Sequence, residues 1–219
     1  MFIRTIGLHL SISILSEHFS FLNSSENCTK DTLIYSRFQY LDQPVIKRYL
    51  GRVRAGAREV EVDHLWLQML RLYFPLDHFG LEREAYISGT STRRTNITVS
   101  VDDGRGQGTI VFVECKRPPR QAHHEPSPST WTRGKGQLES YMLRWRGSAG
   151  PRGRRDLFGV VAIGRLARFF ILRRSEAALE DLDADAKTFR IGTADGSAEV
   201  EAMLLAIFGD AMTNYAALV

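Results

Sequence analysis

The segment TIVFVEC, residues 109–115, constrains the fold more than any other part of the chain. It is almost continuous in apolar and β-branched residues, which is the pattern of a strand that is covered on both faces. A glycine-rich stretch, DDGRGQG, precedes it, and Pro118 and Pro119 follow it. Because such a strand needs helices on both sides of its sheet, we expect an α/β domain.

Two opposite charges, Glu114 and Lys116, stand at the end of this strand. Alternate residues of a strand point to the same face, so these side chains are predicted to lie side by side, with Cys115 on the other face. Burying either charge alone is costly. The pair is therefore either a structural ion pair at the sheet edge or part of a functional site. In a site, Glu114 would bind a divalent metal and Lys116 would stabilise charge at a phosphate.

The remaining patterns predict helices and strands in mixed order around this segment. In chain order they are a helix at 59–74, strands at 81–88, 95–101 and 109–115, a helix at 136–145, strands at 157–164 and 165–173, and a closing helix at 198–212. The second and third strands are predicted to form a hairpin, and 117–135 is predicted to be a polar loop. Residues 1–50 are interpreted as an N-terminal extension of unknown role, and residues 51–219 as the domain.

The stretches TRRTNITVSV, VECKR and GQLESY follow one another in this order. Together they resemble the PD-(D/E)XK nuclease superfamily, particularly the N-terminal nuclease domain of type I restriction enzyme R subunits and nuclease-like domains of fungal proteins. The likeness covers residues 59–172. It implies a restriction-endonuclease-like core, in which helices flank a central mixed β-sheet.

The resemblance also implies roles for individual residues. Glu114, Lys116 and Gln137 would be catalytic. The metal, Mg²⁺ with Mn²⁺ as a substitute, would be held by Glu114, Asn96 and Glu84. The acid that the family places on its N-terminal helix is matched by Glu59 or Glu61.

Asn96 departs from the family pattern, which has an Asp at this position. A hairpin turn centred on residue 105 places Asn96 opposite Glu114, so the alignment is geometrically sound. Asp102 lies roughly 20 Å further along the strand and cannot replace the missing carboxylate in this register. Since Mg²⁺ favours carboxylates, a neutral amide weakens the site.

Basic residues surround the segment Glu114-Cys115-Lys116, and the whole chain carries a formal net charge of +4. They are either a solvated surface or a phosphate-binding face. The candidate nucleic-acid-binding residues are Arg94, Arg117, Arg120, Arg133 and Lys135. Trp131 and Trp145 are candidates for base stacking, with a core position as the alternative for Trp145.

The expected function is Mg²⁺-dependent hydrolysis of phosphodiester bonds in nucleic acid, either DNA or RNA. The alternative is a catalytically inactive module of the same fold that binds nucleic acid or a protein partner, and homodimer formation is left open. No apolar run reaches the length of roughly 18 residues that a membrane helix needs. Two cysteines, Cys28 and Cys115, favour a reducing, intracellular location in the cytoplasm or nucleus.

Overall fold

The computed structural model describes residues 40–85, 95–102, 107–121 and 124–215. The described elements include four α-helices, α1 (Pro44–Arg52), α2 (Glu59–Tyr73), α3 (Pro128–Ser148) and α4 (Ala194–Tyr215). The strands are β1 (Phe79–Arg83), β2 (Ile97–Asp102), β3 (Gln107–Lys116), β4 (Leu157–Ile163), β5 (Leu166–Leu172), β6 (Glu180–Asp181) and β7 (Phe189–Arg190). Short 3₁₀ turns lie at Tyr40–Asp42 and Gly150–Gly153.

The described strands form a single mixed sheet in the order β1-β2-β3-β4-β5-β6, with β7 also pairing with β5. The β3–β4 pair is parallel, and the other pairs are antiparallel. A parallel pair needs a crossover, and α3 is the helix in the chain between β3 and β4. The predicted α/β architecture with a mixed central sheet is therefore confirmed.

The hairpin between β2 and β3 has the predicted register at the end where Glu114 lies. Ile97 pairs with Val113, and Val99 pairs with Val111. A register shift between Val99 and Ser100 then moves the remaining pairs by one residue, as a β-bulge does. Asp102 pairs with Gln107 at the far end of the hairpin, so it is remote from Glu114.

Helices cover both faces of the sheet, and the alternation of β3 assigns its residues to two cores. Val111, Val113 and Cys115 belong to a larger core that also contains residues of α2 and α4, such as Trp66 and Leu204. The even-numbered Phe112 belongs to a second core under α3, with Leu138, Met142 and Val161. Glu114 and Lys116 share the parity of Phe112 and thus the α3 face.

Helix α3 begins well before the predicted helix at 136–145, so the prediction of a loop up to residue 135 was wrong in its second half. The Ser127 hydroxyl accepts a hydrogen bond from the Thr130 backbone N–H, and Pro128 is the first helical residue. Both are ordinary helix-start signals, which the proline content of the segment concealed. Trp131 is buried in the second core beneath the Arg168 guanidinium, and Trp145 packs edge-on against Phe112.

The described residues, from Tyr40 onward, belong to one compact unit. Tyr40, Ile46 and Val53 are buried in the larger core, so the boundary drawn at residue 50 falls within α1. The Arg165 guanidinium donates hydrogen bonds to the carbonyl oxygens of Leu50 and Val53, both at 2.8 Å. Helix α1 is therefore fixed to the turn between β4 and β5.

Candidate active site

Glu114 and Lys116 lie in contact at the end of β3, as the strand alternation predicts. Only 2% of Glu114 is exposed. The Lys116 ammonium donates a hydrogen bond to Glu114 Oε1. Burial raises the pKa of the Glu114 carboxyl above its usual value, and the Lys116 charge opposes that rise. The strand end therefore carries a desolvated ion pair.

Asn96 precedes β2 and continues its register to the position opposite Glu114. The side-chain Oδ1 of Asn96 accepts a hydrogen bond from the Cys115 backbone N–H at 2.9 Å. The Asn96 side-chain oxygen therefore already accepts a hydrogen bond from the backbone of β3 at the residue that follows Glu114. The backbone N–H of Glu84 donates to the Asn96 carbonyl oxygen at 2.9 Å, although the Glu84 residue itself is exposed and has a φ of 50°.

Two carboxylates in the N-terminal part of α2 act electrostatically on Glu114. The negative charges of Glu59 and Asp63 both contribute to the raised pKa of Glu114. These two residues are four apart in the helix and therefore share one face. Glu61 points elsewhere, since its Oε2 lies 3.9 Å from Arg52 Nη1. Of the two acids proposed from the sequence, Glu59 is the one whose charge acts on Glu114.

Asp63 is the residue that the sequence analysis missed. It is 5% exposed, and its Oδ1 atom is buried without a hydrogen-bond partner. Its Oδ2 atom lies 3.6 Å from Arg83 Nη2. Burial raises the pKa of Asp63, and the Cys115 thiol and Arg83 oppose the rise. The spacing Glu59-x-x-x-Asp63 was the available signal, because it places two carboxylates on one helix face.

Gln137 lies on the side of α3 that faces the sheet, one turn from Gly134. A Cβ atom at Gly134 would be 2.7 Å from Val161 Cγ1, so α3 approaches β4 closely there. Val161 is the register partner of Glu114. Gln137 follows Gly134 by three residues and shares its helix face. Its Oε1 atom is buried and has no hydrogen-bond partner.

The basic candidates differ in their surroundings. Arg117 and Arg120 are exposed just beyond β3, and Arg133 is exposed on α3. Lys135 is engaged, because its ammonium lies 3.6 Å from Asp181 Oδ2 and 5.1 Å from the centroid of the Phe170 ring. Arg94 lies outside the described residues.

The side chains around Glu114 determine whether a divalent metal ion could be bound there. In the described ranges, no three His, Cys, Asp or Glu side chains are grouped so that they could hold a metal by themselves. Mg²⁺ usually takes one or two protein carboxylates and completes its shell with waters and substrate phosphates. Glu114 is one such carboxylate on the α3 face of β3, whereas the unpaired Oδ1 atom of Asp63 belongs to α2, which packs on the opposite face of the sheet with Cys115.

Comparison of the chain with protein-family models, with curated proteins and with solved structures gave no match in any of the three. Among the helices within the described ranges, none combines the length and apolar character needed to cross a membrane.

Proposed function

We propose that this domain hydrolyses phosphodiester bonds of nucleic acid with the help of Mg²⁺, through a PD-(D/E)XK-type centre at Glu114 and Lys116. The observation that carries the proposal is the desolvated ion pair at the end of β3. A buried ion pair adds little net stability, because the loss of hydration offsets the attraction between the charges. A functional role for the pair accounts for its place in an otherwise apolar strand.

Each residue of the proposed centre has a distinct role. Glu114 would hold the metal, with Glu59, Asn96 and Glu84 as weaker candidates for further ligands. The bound ion would supply an activated water and a Lewis acid. The Lys116 ammonium would stabilise the negative charge that develops on the phosphate. The free Oε1 atom of Gln137 would accept a hydrogen bond from water or substrate and orient it.

A cleavage assay tests these roles directly. The protein is incubated with single- and double-stranded DNA and RNA in the presence of Mg²⁺ or Mn²⁺, and products are followed on denaturing gels. Lys116→Ala is expected to lower the cleavage rate by a factor of about 100 or more, the usual effect of losing a charge-stabilising donor. Lys187→Ala is the matched control, because Lys187 is an exposed lysine that pairs with Glu199 in a different part of the domain. Cleavage by Lys116→Ala at the control rate would contradict the assignment.

One observation favours a second candidate function, a nuclease-fold module that binds nucleic acid without cutting it. The amide oxygen of Asn96 is occupied by the Cys115 N–H, and the residue brings no charge to a metal. This candidate is supported if binding to an oligonucleotide is salt-dependent while no metal-dependent cleavage is detected.

A further inference from the structure

Three loops meet at the end of the sheet where β3 finishes. The Gly56 N–H, in the loop between α1 and α2, donates to the Pro119 carbonyl oxygen at 2.9 Å. The Gly164 N–H, in the turn between β4 and β5, donates to the Lys116 carbonyl oxygen at 3.0 Å. The α1–α2 loop therefore borders the same strand end as the Glu114–Lys116 pair.

Further close contacts join these loops to one another. Gly164 has a φ of +60°, and a Cβ atom there would lie 2.6 Å from Pro118 Cβ, so the turn packs directly on the loop after β3. Arg165 binds the end of α1 through its hydrogen bonds to Leu50 and Val53. The α1–α2 loop is thus anchored at both the β4–β5 turn and Pro119.

Four arginines stand on two of these loops: Arg54, Arg58, Arg117 and Arg120, which we name the basic rim. All four are exposed, and none forms an ion pair within the described part of the chain. Two of the neighbouring acids are engaged elsewhere, since Glu61 pairs with Arg52 and Glu125 pairs with Arg190. The rim therefore carries four arginines and, at its edge, the single carboxylate of Glu59, so its net charge is positive.

We propose that the basic rim binds the phosphodiester backbone of a nucleic-acid strand and leads it to the Glu114–Lys116 pair. The identity of this ligand as nucleic acid rests on the proposed function. Guanidinium groups bind phosphate oxygens in a bidentate manner, and they do so without reading the base sequence. In this proposal Arg54 and Arg58, which precede the predicted nuclease core in the sequence, contribute to substrate binding.

The test is metal-free binding, which separates the rim from catalysis. Fluorescence anisotropy of a labelled, mixed-sequence single strand of about 20 nucleotides is recorded in EDTA at several salt concentrations. The variant is Arg54→Ala/Arg58→Ala. The control is Arg71→Ala/Arg174→Ala, two exposed arginines without ion pairs in the described ranges, at the last turn of α2 and beyond the end of β5. Thermal unfolding verifies that both variants are folded.

The slope of log K against log salt is negative, and each lost phosphate contact reduces its magnitude by about 0.7 for a single strand. The rim variant is therefore expected to lose about 1.4 in slope and to bind roughly 25-fold more weakly near 0.1 M salt, whereas the control retains the wild-type slope. Equal losses in the rim and control variants would overturn the proposal. Unchanged binding by the rim variant, or polyglutamate competing as well as an oligonucleotide of equal charge, would also overturn it.

The result is independent of the proposed hydrolysis. Loss of binding in the rim variant, with no cleavage by any form of the protein, would uphold the rim and remove the catalytic proposal. Wild-type binding by the rim variant, together with cleavage that depends on Lys116, would do the reverse.

Discussion

The Glu114–Lys116 pair makes a quantitative prediction about stability. In the folded protein the Glu114 side chain is 3% exposed and the Lys116 side chain 14% exposed. Lys116→Met removes one partner and leaves an uncompensated buried carboxylate, so it is expected to lower the free energy of unfolding at pH 7 by about 3–5 kcal/mol. Replacing both residues, as Glu114→Gln/Lys116→Met, removes both charges and is expected to return the free energy to within about 1 kcal/mol of the wild type.

Urea unfolding of the wild type, Lys116→Met, Glu114→Gln and the double variant, which together form a mutant cycle, measures both free-energy differences. The pH dependence of the free energy of unfolding tests whether the unpaired Glu114 charge causes the loss of stability in Lys116→Met. Burial has already raised the pKa of Glu114, and loss of the Lys116 charge raises it further. A carboxyl whose pKa is raised by folding favours the folded state at low pH, and this contribution is lost as pH rises through the folded pKa. The deficit of Lys116→Met should therefore shrink on acidification.

A loss of less than about 1 kcal/mol in Lys116→Met would match an exposed salt bridge and would refute the reasoning. A double variant that is as unstable as the single one would refute it as well, because the cost would then lie in packing and not in the unpaired charge.

Two further predictions concern packing and a second titrating group. Gly153→Ala places a Cβ atom 2.3 Å from the Arg146 carbonyl oxygen and is expected to destabilise the domain by about 1–3 kcal/mol in urea unfolding. Gly147→Ala, which meets nothing within 4 Å in α3, is expected to stabilise it by about 0.5–1 kcal/mol, and the opposite ranking would contradict this packing. Burial raises the pKa of Glu201, partly opposed by the nearby Tyr73 hydroxyl, so stability from this group is lost as pH rises through that pKa. Glu201→Gln should flatten the stability profile just above pH 4.5, and an unchanged profile there would exclude Glu201 as its source.

The sequence predicted the parts of the fold that depend on local pattern. A run of apolar residues between a glycine-rich stretch and two prolines was sufficient to identify β3, and strand alternation placed Glu114 beside Lys116. The predicted centre of the turn gave the correct register of β2 against β3 at the end of the hairpin that carries Asn96 and Glu114. The bulge after Val99 was not predicted, because it depends on how the two strands twist within the whole sheet.

Contacts between distant segments could not be read from local patterns. No local pattern indicates that the Gly56 N–H donates to the Pro119 carbonyl oxygen, or that the Arg165 guanidinium donates to the carbonyl oxygens at the end of α1. Asp63 stood among the apolar residues of a core helix, so its chemistry was hidden by its packing role. The loop contacts depend on tertiary proximity, which a single sequence does not display, whereas for Asp63 the spacing from Glu59 was the one sequence signal.

Asn96 remains the point on which the catalytic proposal depends. Asn96→Asp keeps an oxygen that can accept the Cys115 N–H, and it adds a carboxylate opposite Glu114. Titration calorimetry with Mn²⁺, followed by the cleavage assay on the same preparation, measures whether the centre is otherwise complete.

If the Glu114–Lys116 end of the sheet is a phosphodiester-hydrolysing centre, Asn96→Asp will bind Mn²⁺ more tightly than the wild type and cleave nucleic acid faster. Both gains will be lost when Glu114→Gln is added. If Asn96→Asp takes up no Mn²⁺ and its cleavage is unchanged, the assignment of this centre is contradicted.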